Sequence, residues 1–514
     1  MSRINTNVQS LIAQRVLGQN NQALSVSLDR LSTGLRINRG ADDPAGLIAS
    51  ENLRSEKVAI GQAISNSERA NQVVSIAEGG LTEIGTLLNE LEGLVTATAN
   101  DAGLSDEEKE ANQLQVDSIL QTIDRVASAT SFQGNRLLNG NLDYAASNVS
   151  NNIAEYKVNG AKLQFQGTLD VDVVVTQSAQ VGAYLLSFGG ATIDLGAGSS
   201  FVFEIAGSTG NRELSFASGT AIVDIAAAIN TFTEVTGAKA SVSGTGVRIE
   251  SAEFGSEELV SIKVIDDGTI AAGDGIHAYM ANDTNDAVVV AAATYNSAAA
   301  ANGLTDNGQD VEATINGIRA TSRGAKASIN TDFLSVDLTL EATGAGAHAQ
   351  SLGAVAALTI TGGGADFQLA SNVDIAGKVS LGIGNVSART IGRVVHDLSG
   401  SATEVFLSDL ANGANLNLET GDLVGAQKAV RQAIKNVSSL RGRLGAFQKN
   451  TVGATIRSLG VSLENTTAAE SAIRDADFAK ETAELTRAQI LVQSTTNTLG
   501  IANSQPQNVL SLLG

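Results

Sequence analysis

The residues with the richest chemistry are few. Three histidines occur, His277, His348 and His396, and no cysteine. A zinc centre needs several nitrogen, sulfur or oxygen ligands at short fixed spacings, such as HExxH on one helix face. The three histidines lie far apart and in no such pattern, so each is expected as a lone loop or surface residue. No GxSxG, no P-loop and no GxGxxG ahead of a helix is present. Gly-Thr-Gly at 244–246 and Gly-Gly-Gly at 362–364 read as turns between strands. Two carboxylate clusters remain, Asp42-Asp43 and Asp106-Glu107-Glu108. Both stand at helix starts, where capping and the helix dipole account for them without catalysis. No catalytic, cofactor-binding or metal-binding residue is expected, and the chain is expected not to be an enzyme.

Composition narrows the class further. The chain has 514 residues, enough for two to four domains. Apolar residues make up 43 % but aromatics only 4 %, with no Trp, so its cores must be built from Leu, Ile, Val and Ala. The net charge of −21 makes nucleic acid and anionic membrane surfaces poor partners. No stretch approaches the roughly 20 apolar residues of a membrane span. The first residues, Met1 to Asn7, hold no apolar run, so no secretory signal peptide is expected.

The elements that position these residues are read from periodicity. Leu17, Leu24 and Leu31 recur every seven residues, with Leu28 between the last two. Phe478, Leu485, Val492 and Leu499 do the same near the other end, followed at three residues by the small row Ala488, Thr495 and Ala502. Narrow heptad stripes of this kind are seams for other helices. Helices this lightly stabilised are marginal alone. They are expected to pair with each other and with copies from other subunits. A second, longer seam runs through Val74, Ala77, Leu81, Ile84, Leu88, Leu91 and Val95. Ser105 with Glu108 predicts a capping box opening a third helix to about Ala129. Helix returns near Asp422, with Val430, Ile434, Val437, Leu444 and Phe447 on one face. A break is expected near Glu464 to Thr467 before the terminal helix.

Between Asn141 and Asn412 the pattern changes to period two. Phe201, Phe203 and Ile205 alternate, as do Val260, Ile262 and Val264, and Leu334, Val336, Leu338 and Leu340. Ile222, Ile225, Ala226 and Ile229 share one helix face among them. The expected class is therefore α+β multidomain: terminal helices in a coiled-coil bundle, with β-rich α+β outer domains inserted between them. The expected divisions are 1–40, a core helix, and 41–140, half of a helical bundle. Next come 141–412, the outer domains, with one module at 201–267 and a second β-rich region at 310–386, part of which could belong to the bundle. Last come 413–463, the other half of the bundle, and 464–514, the second core helix.

Long motifs at both ends resemble bacterial flagellin. They are Leu31-Ser32-Thr33-Gly34-Leu35-Arg36-Ile37-Asn38, Ala41-Asp42-Asp43-Pro44-Ala45-Gly46, Ser75-Ile76-Ala77-Glu78-Gly79-Gly80-Leu81 and Phe132-Gln133-Gly134-Asn135-Arg136-Leu137-Leu138. Toward the C-terminus they are Leu440-Arg441-Gly442-Arg443-Leu444-Gly445-Ala446, Ala476-Asp477-Phe478-Ala479 and the ending from Gln505 to Leu513. The resemblance covers about 1–140 and 422–514 closely and the middle less so. It implies a structural subunit that polymerises into the extracellular flagellar filament. Export would run through the flagellum's own channel, without a cleaved signal peptide and with no cofactor. The implied partners are other copies of the chain, hook-associated junction and cap proteins, and an export chaperone at about Glu464 to Gly514. A hook–filament junction protein is the alternative, and the Gln505–Leu513 ending argues against it. A metalloprotease insert, which some flagellins carry, would need the missing HExxH.

Two sets of residues follow. The expected assembly interface comprises Leu17, Leu24, Leu28, Leu31, Val74, Leu81, Ile84, Leu88, Leu91, Phe478, Leu485, Val492 and Leu499. The other set concerns the toll-like flagellin receptor. Stimulatory members carry Leu-Gln-Arg-Val-Arg-Glu-Leu where this chain has Leu88-Asn89-Glu90-Leu91-Glu92-Gly93-Leu94. Glu90 and Glu92 thus replace two arginines, and Gln115 replaces a glutamate. The resemblance implies an altered receptor epitope.

Overall fold

The computed structural model describes residues 6–100, 103–164, 167–196, 198–270, 274–279, 289–342, 350–398 and 401–510. His348, the first five residues and the last four, including the end of the C-terminal motif, lie outside the described residues. The helices are α1 (Val8–Thr33), α2 (Pro44–Thr98), α3 (Asp106–Ala129), α4 (Ile222–Asn230), α5 (Thr233–Thr236), α6 (Ala298–Asn302), α7 (Leu423–Ala446), α8 (Gly453–Arg474) and α9 (Phe478–Leu510). A six-residue π segment, Phe447–Val452, joins α7 to α8. The chain divides into two compact units. One comprises 1–75, 367–378 and 443–514, the other 76–366 and 379–442. The class is α+β, with helices at both ends of the chain and a β-rich middle.

Local chemistry sets the helix ends. The Asn7 side chain accepts from Ser10 N at the start of α1, and Gly34 closes it at φ 72, a left-handed position that glycine adopts without strain. Asp43 accepts from Gly46 N ahead of α2, where Pro44 takes the first turn. Asp42 accepts from Asn38 N and Arg39 N, and these bonds hold its carboxyl below the usual range. The Ser105–Glu108 capping box forms at α3. Asp42, Asp43 and Glu108 are therefore engaged at helix ends, while Asp106 and Glu107 stand exposed in the first turn of α3.

The break expected near Glu464 to Thr467 does not occur. α8 runs unbroken to Arg474, because that stretch holds no Gly or Pro and its polar side chains are compatible with helix. The chain leaves helix at Asp475, which is extended. Ala476 N bonds to Gly34 O, Arg36 N bonds to Arg474 O, and the Asp477 side chain caps α9 by accepting from Ala479 N and Lys480 N. The terminal helix α9 thus begins at Phe478.

The middle contains two β modules, each with two antiparallel sheets closing on one core. In the first, the strand order is Val289–Thr294, Gly275–Tyr279, Ala183–Ser187, Gly246–Ser251, Ala238–Ser243. Facing it are Leu304–Asn307, Leu259–Asp266, Ser200–Gly207 and Asn211–Ala217. Its core holds Phe201, Phe203, Ile205, Val260, Ile262 and the Ile222, Ile225 and Ile229 face of α4. The module therefore reaches beyond 201–267 in both directions. In the second, the order is Ile318–Arg319, Glu312–Ile315, Leu169–Gln177, Gly353–Gly363, Tyr144–Ser147. With it stand Thr321–Arg323, Lys326–Asn330, Leu334–Leu340 and Ile153–Ala161. It is assembled from stretches before and after the first module. Asn316 (φ 48) and Gly317 (φ 79) make its two-residue hairpin turn, where both centres need positive φ.

Candidate functional site

In the first unit, α1 and α9 lie antiparallel. Asn7 Nδ2 donates to Ala502 O (2.7 Å), Ser10 Oγ to Asn503 Oδ1 (2.7 Å), and Arg30 Nη1 meets Glu481 Oε1 at 3.2 Å. Early residues of one helix thus meet late residues of the other. Apart from Glu481, which meets Arg30, what the pair buries is small: Ser10, Ala13 and Ser27 on α1, Ala488 and Ala502 on α9. The large stripe residues flank this contact. Leu17, Leu24, Leu31, Leu485, Val492 and Leu499 are half-buried, while Leu28 is 48 % and Phe478 58 % exposed. Further apolar side chains stand in solvent, among them Leu11 (57 %), Ile12 (50 %), Ile490 (63 %) and Ile501 (64 %). Two helices that pair through Ala and Ser approach closely, but most of their apolar surface remains uncovered. Uncovered apolar surface on this scale marks an interaction site.

The α2 row is placed differently. Val74, Leu81, Ile84, Leu88 and Leu91 are each 0 % exposed within the single chain. Ala77, Val116, Ile123, Ala429, Val430, Ala433 and Val437 on α2, α3 and α7 are buried as well. The expectation that these five α2 residues form a subunit interface is therefore revised. No surface of theirs is left for a second copy, and they are internal core. Gln113, fully buried on α3, was not singled out from sequence. Its side chain donates to Leu410 O (2.9 Å) and accepts from Leu418 N (2.7 Å), tying the loop before α7 to the helices.

Of the receptor-related residues, Glu90 and Gln115 are exposed. Glu92 is half-buried and accepts from Arg431 Nε at 2.9 Å. His396 is not a lone residue: its Nε2 meets Asp422 Oδ2. Burial pushes the Asp422 carboxyl up, but His396 and the amides of Gly425 and Val424 outweigh this and hold it low. No group of three metal-ligating side chains occurs among the described residues. A polar cleft of about 370 Å3 lies among Gln180, Arg248, Tyr279, Asp306, Gln309 and Asp310. Of its lining residues, Arg248 donates through Nε to buried Glu250 at 2.6 Å, and Glu250 also pairs with Lys239 at 3.1 Å. Burial raises the Glu250 carboxyl, and the two cations reverse the shift and keep it ionised. The Arg248 guanidinium stacks over Tyr279 at 4.5 Å.

Comparison with known proteins gives matches at both ends. Residues 4–143 match the bacterial flagellin N-terminal helical region, and residues 427–513 match the bacterial flagellin C-terminal helical region. Flagellin B of Helicobacter pylori is 27 % identical over 536 residues, covering 99 % of each chain. Flagellin of Aquifex aeolicus is 26 % identical, covering 100 % of this chain and 99 % of its own. Among solved structures, FliC from Burkholderia pseudomallei aligns at 15 % identity and TM-score 0.22, over 74 % of this chain and 99 % of that one.

Proposed function

The chain belongs to the bacterial flagellin family and is a structural, non-enzymatic subunit of the flagellar filament, and from this we propose which of its surfaces make the polymer. α1 and α9, with Leu17, Leu24, Leu28, Leu31, Phe478, Leu485, Val492 and Leu499 along their flanks, form the filament's inner contact. The observation that carries this is the uncovered apolar surface of the pair, Leu11, Ile12, Ile490 and Ile501 above all. The two β modules, whose cores contain no residue of α1 or α9, take no part in that contact. By this division the inner helices are α1 and α9, the latter beginning at Phe478 after the break at Asp475.

The test is growth on short filament seeds. Ile501→Asp leaves the monomer's fold intact, because the side chain is exposed. In a polymer contact it would bury an unpaired charge, a cost of several kcal/mol at least. Loss of growth is expected, and normal growth would remove α9 from the interface.

The same surface must be kept from aggregating before export. We therefore propose a small helical chaperone covering about Glu464 to Gly514, passage through the flagellar export channel without a cleaved signal, and junction and cap proteins at the filament ends. A pull-down of the full chain beside one ending at Arg474 separates the cases. Equal capture of a chaperone by both would exclude α9 as its site.

A further inference from the structure

The bundle carries its charges unevenly. α7 holds Lys428, Arg431, Lys435, Arg441 and Arg443 and no acidic residue, in a chain of net charge −21. Lys428 pairs with Glu234, and Arg431 with Glu92. Arg441 pairs with nothing: among the described residues no carboxylate meets its guanidinium, and its Nε is buried without a hydrogen-bond partner. It lies in a groove of about 130 Å3 between α2 and α7, beside Thr82, Gly85, Thr86, Asn89 and Ser438. A Cβ built at Gly85 would stand 3.9 Å from Arg441 Nη1, so the groove wall beside the guanidinium is backbone with no side chain over it. A cation that is partly desolvated and unpaired lowers the stability of the chain that carries it. Here the lining offers neutral hydroxyls and amides and no anion.

An opposite surface exists on the same chain. The first turns of α3 carry Asp106, Glu107 and Glu110, all exposed and without a side-chain partner among the described residues, and Leu114 one turn on is 61 % exposed. Glu108 is occupied by the capping box. Resting on the filament reading above, we propose that the groove at Arg441 receives a carboxylate from the first turns of α3 of a second copy. Groove and acidic turns are different patches, so the contact is heterologous. Heterologous contacts propagate along an open polymer instead of closing a dimer. A guanidinium–carboxylate contact also fixes register, because a copy displaced along the groove loses its bond.

The experiment is seeded growth of purified full-length monomer with its thermal midpoint measured in parallel. Arg441→Gln keeps a polar, hydrogen-bonding side chain and removes the charge. Because Arg441 has no partner among the described residues and its charge is partly desolvated, the midpoint is expected to stay level or rise, and not to fall. The critical concentration for growth is expected to rise about tenfold or more, the loss of one charge-assisted contact. Arg441→Glu is expected to stop growth, and adding Glu107→Arg and Glu110→Arg to the same chain to restore it. A lowered midpoint for Arg441→Gln would overturn the proposal by showing an internal role, as would growth at the wild-type concentration. Failure of the reversed chain to regain growth would overturn the assignment to α3. Wild type grown on the same seeds reports filament formation itself, so a defect confined to the variants belongs to this contact.

Discussion

Glu92 shows how one residue answers to two environments. Its neighbour in the stretch, Glu90, stands free in solvent, whereas Glu92 is half-buried and bonded to Arg431. Leu88 and Leu91 are fully buried and offer a receptor nothing. We propose that this flagellin is a weak agonist of the toll-like flagellin receptor. A surface that pairs with arginine would meet like charge at Glu90, which typically costs several kcal/mol at an interface. The Glu90→Arg variant alone is the clean test. The added Glu92→Arg change would set two cations against each other at Arg431 and disturb the bundle. A reporter assay on monomer is expected to show weak wild-type signalling and a gain for Glu90→Arg. Wild-type potency equal to that of a stimulatory flagellin would end the proposal.

At the scale of elements, the same heptad signal led to two destinations. The α1 and α9 stripes and the α2 row all predict a face that packs on helices. In α2 the face is filled by its own chain; in α1 and α9 the chain buries little beyond Ala- and Ser-sized contact and the Arg30–Glu481 pair. Periodicity reports that a face is covered and carries no information on which chain covers it. The helix break lies at Asp475 and not at Glu464 to Thr467 for a related reason: a run of polar residues does not by itself end a helix, and the cap that opens α9 is Asp477. Leu169–Gln177 was not singled out, although Val171, Val173 and Val175 alternate there. Its partner strand, Gly353–Gly363, lies far along the chain and pairs with a bulge between Ala356 and Leu358, and such register is set only in the folded sheet. Arg441 was legible only as part of a family motif, because an unpaired charge is defined by neighbours that the sequence does not bring together. The contrast between helices makes a prediction. In free monomer, hydrogen exchange of α1 and α9 should be fast, and that of Ala77 to Val95 in α2 slow, since protection follows buried apolar contact. Equal protection of the three helices would contradict it.

At the scale of the whole molecule, the two β cores draw every buried residue from positions 144 to 360. Each is closed by its own pair of antiparallel sheets, and the first has its own aromatic cluster, with Phe201 within 5.0 Å of both Phe203 and Tyr295. Neither core contains a residue of α1 or α9. A chain lacking 1–40 and 475–514 is therefore expected to keep the thermal transition of its β modules and to lose growth on seeds entirely. Scanning calorimetry on the truncated and full chains checks the first half, and negative-stain microscopy of seeded growth the second. Within that truncated chain, Leu88→Ala should lower the bundle's stability by about 2–5 kcal/mol, the usual cost of a cavity at a fully buried leucine, and leave the β transition in place. A drop of the β transition with the termini removed would mean that the modules borrow stability from the helices that polymerise. Assembly and outer-surface variation would then be coupled. If the transition holds, the β modules can change sequence freely while α1 and α9 keep the polymer, because among the described residues no buried core side chain is shared between the two tasks.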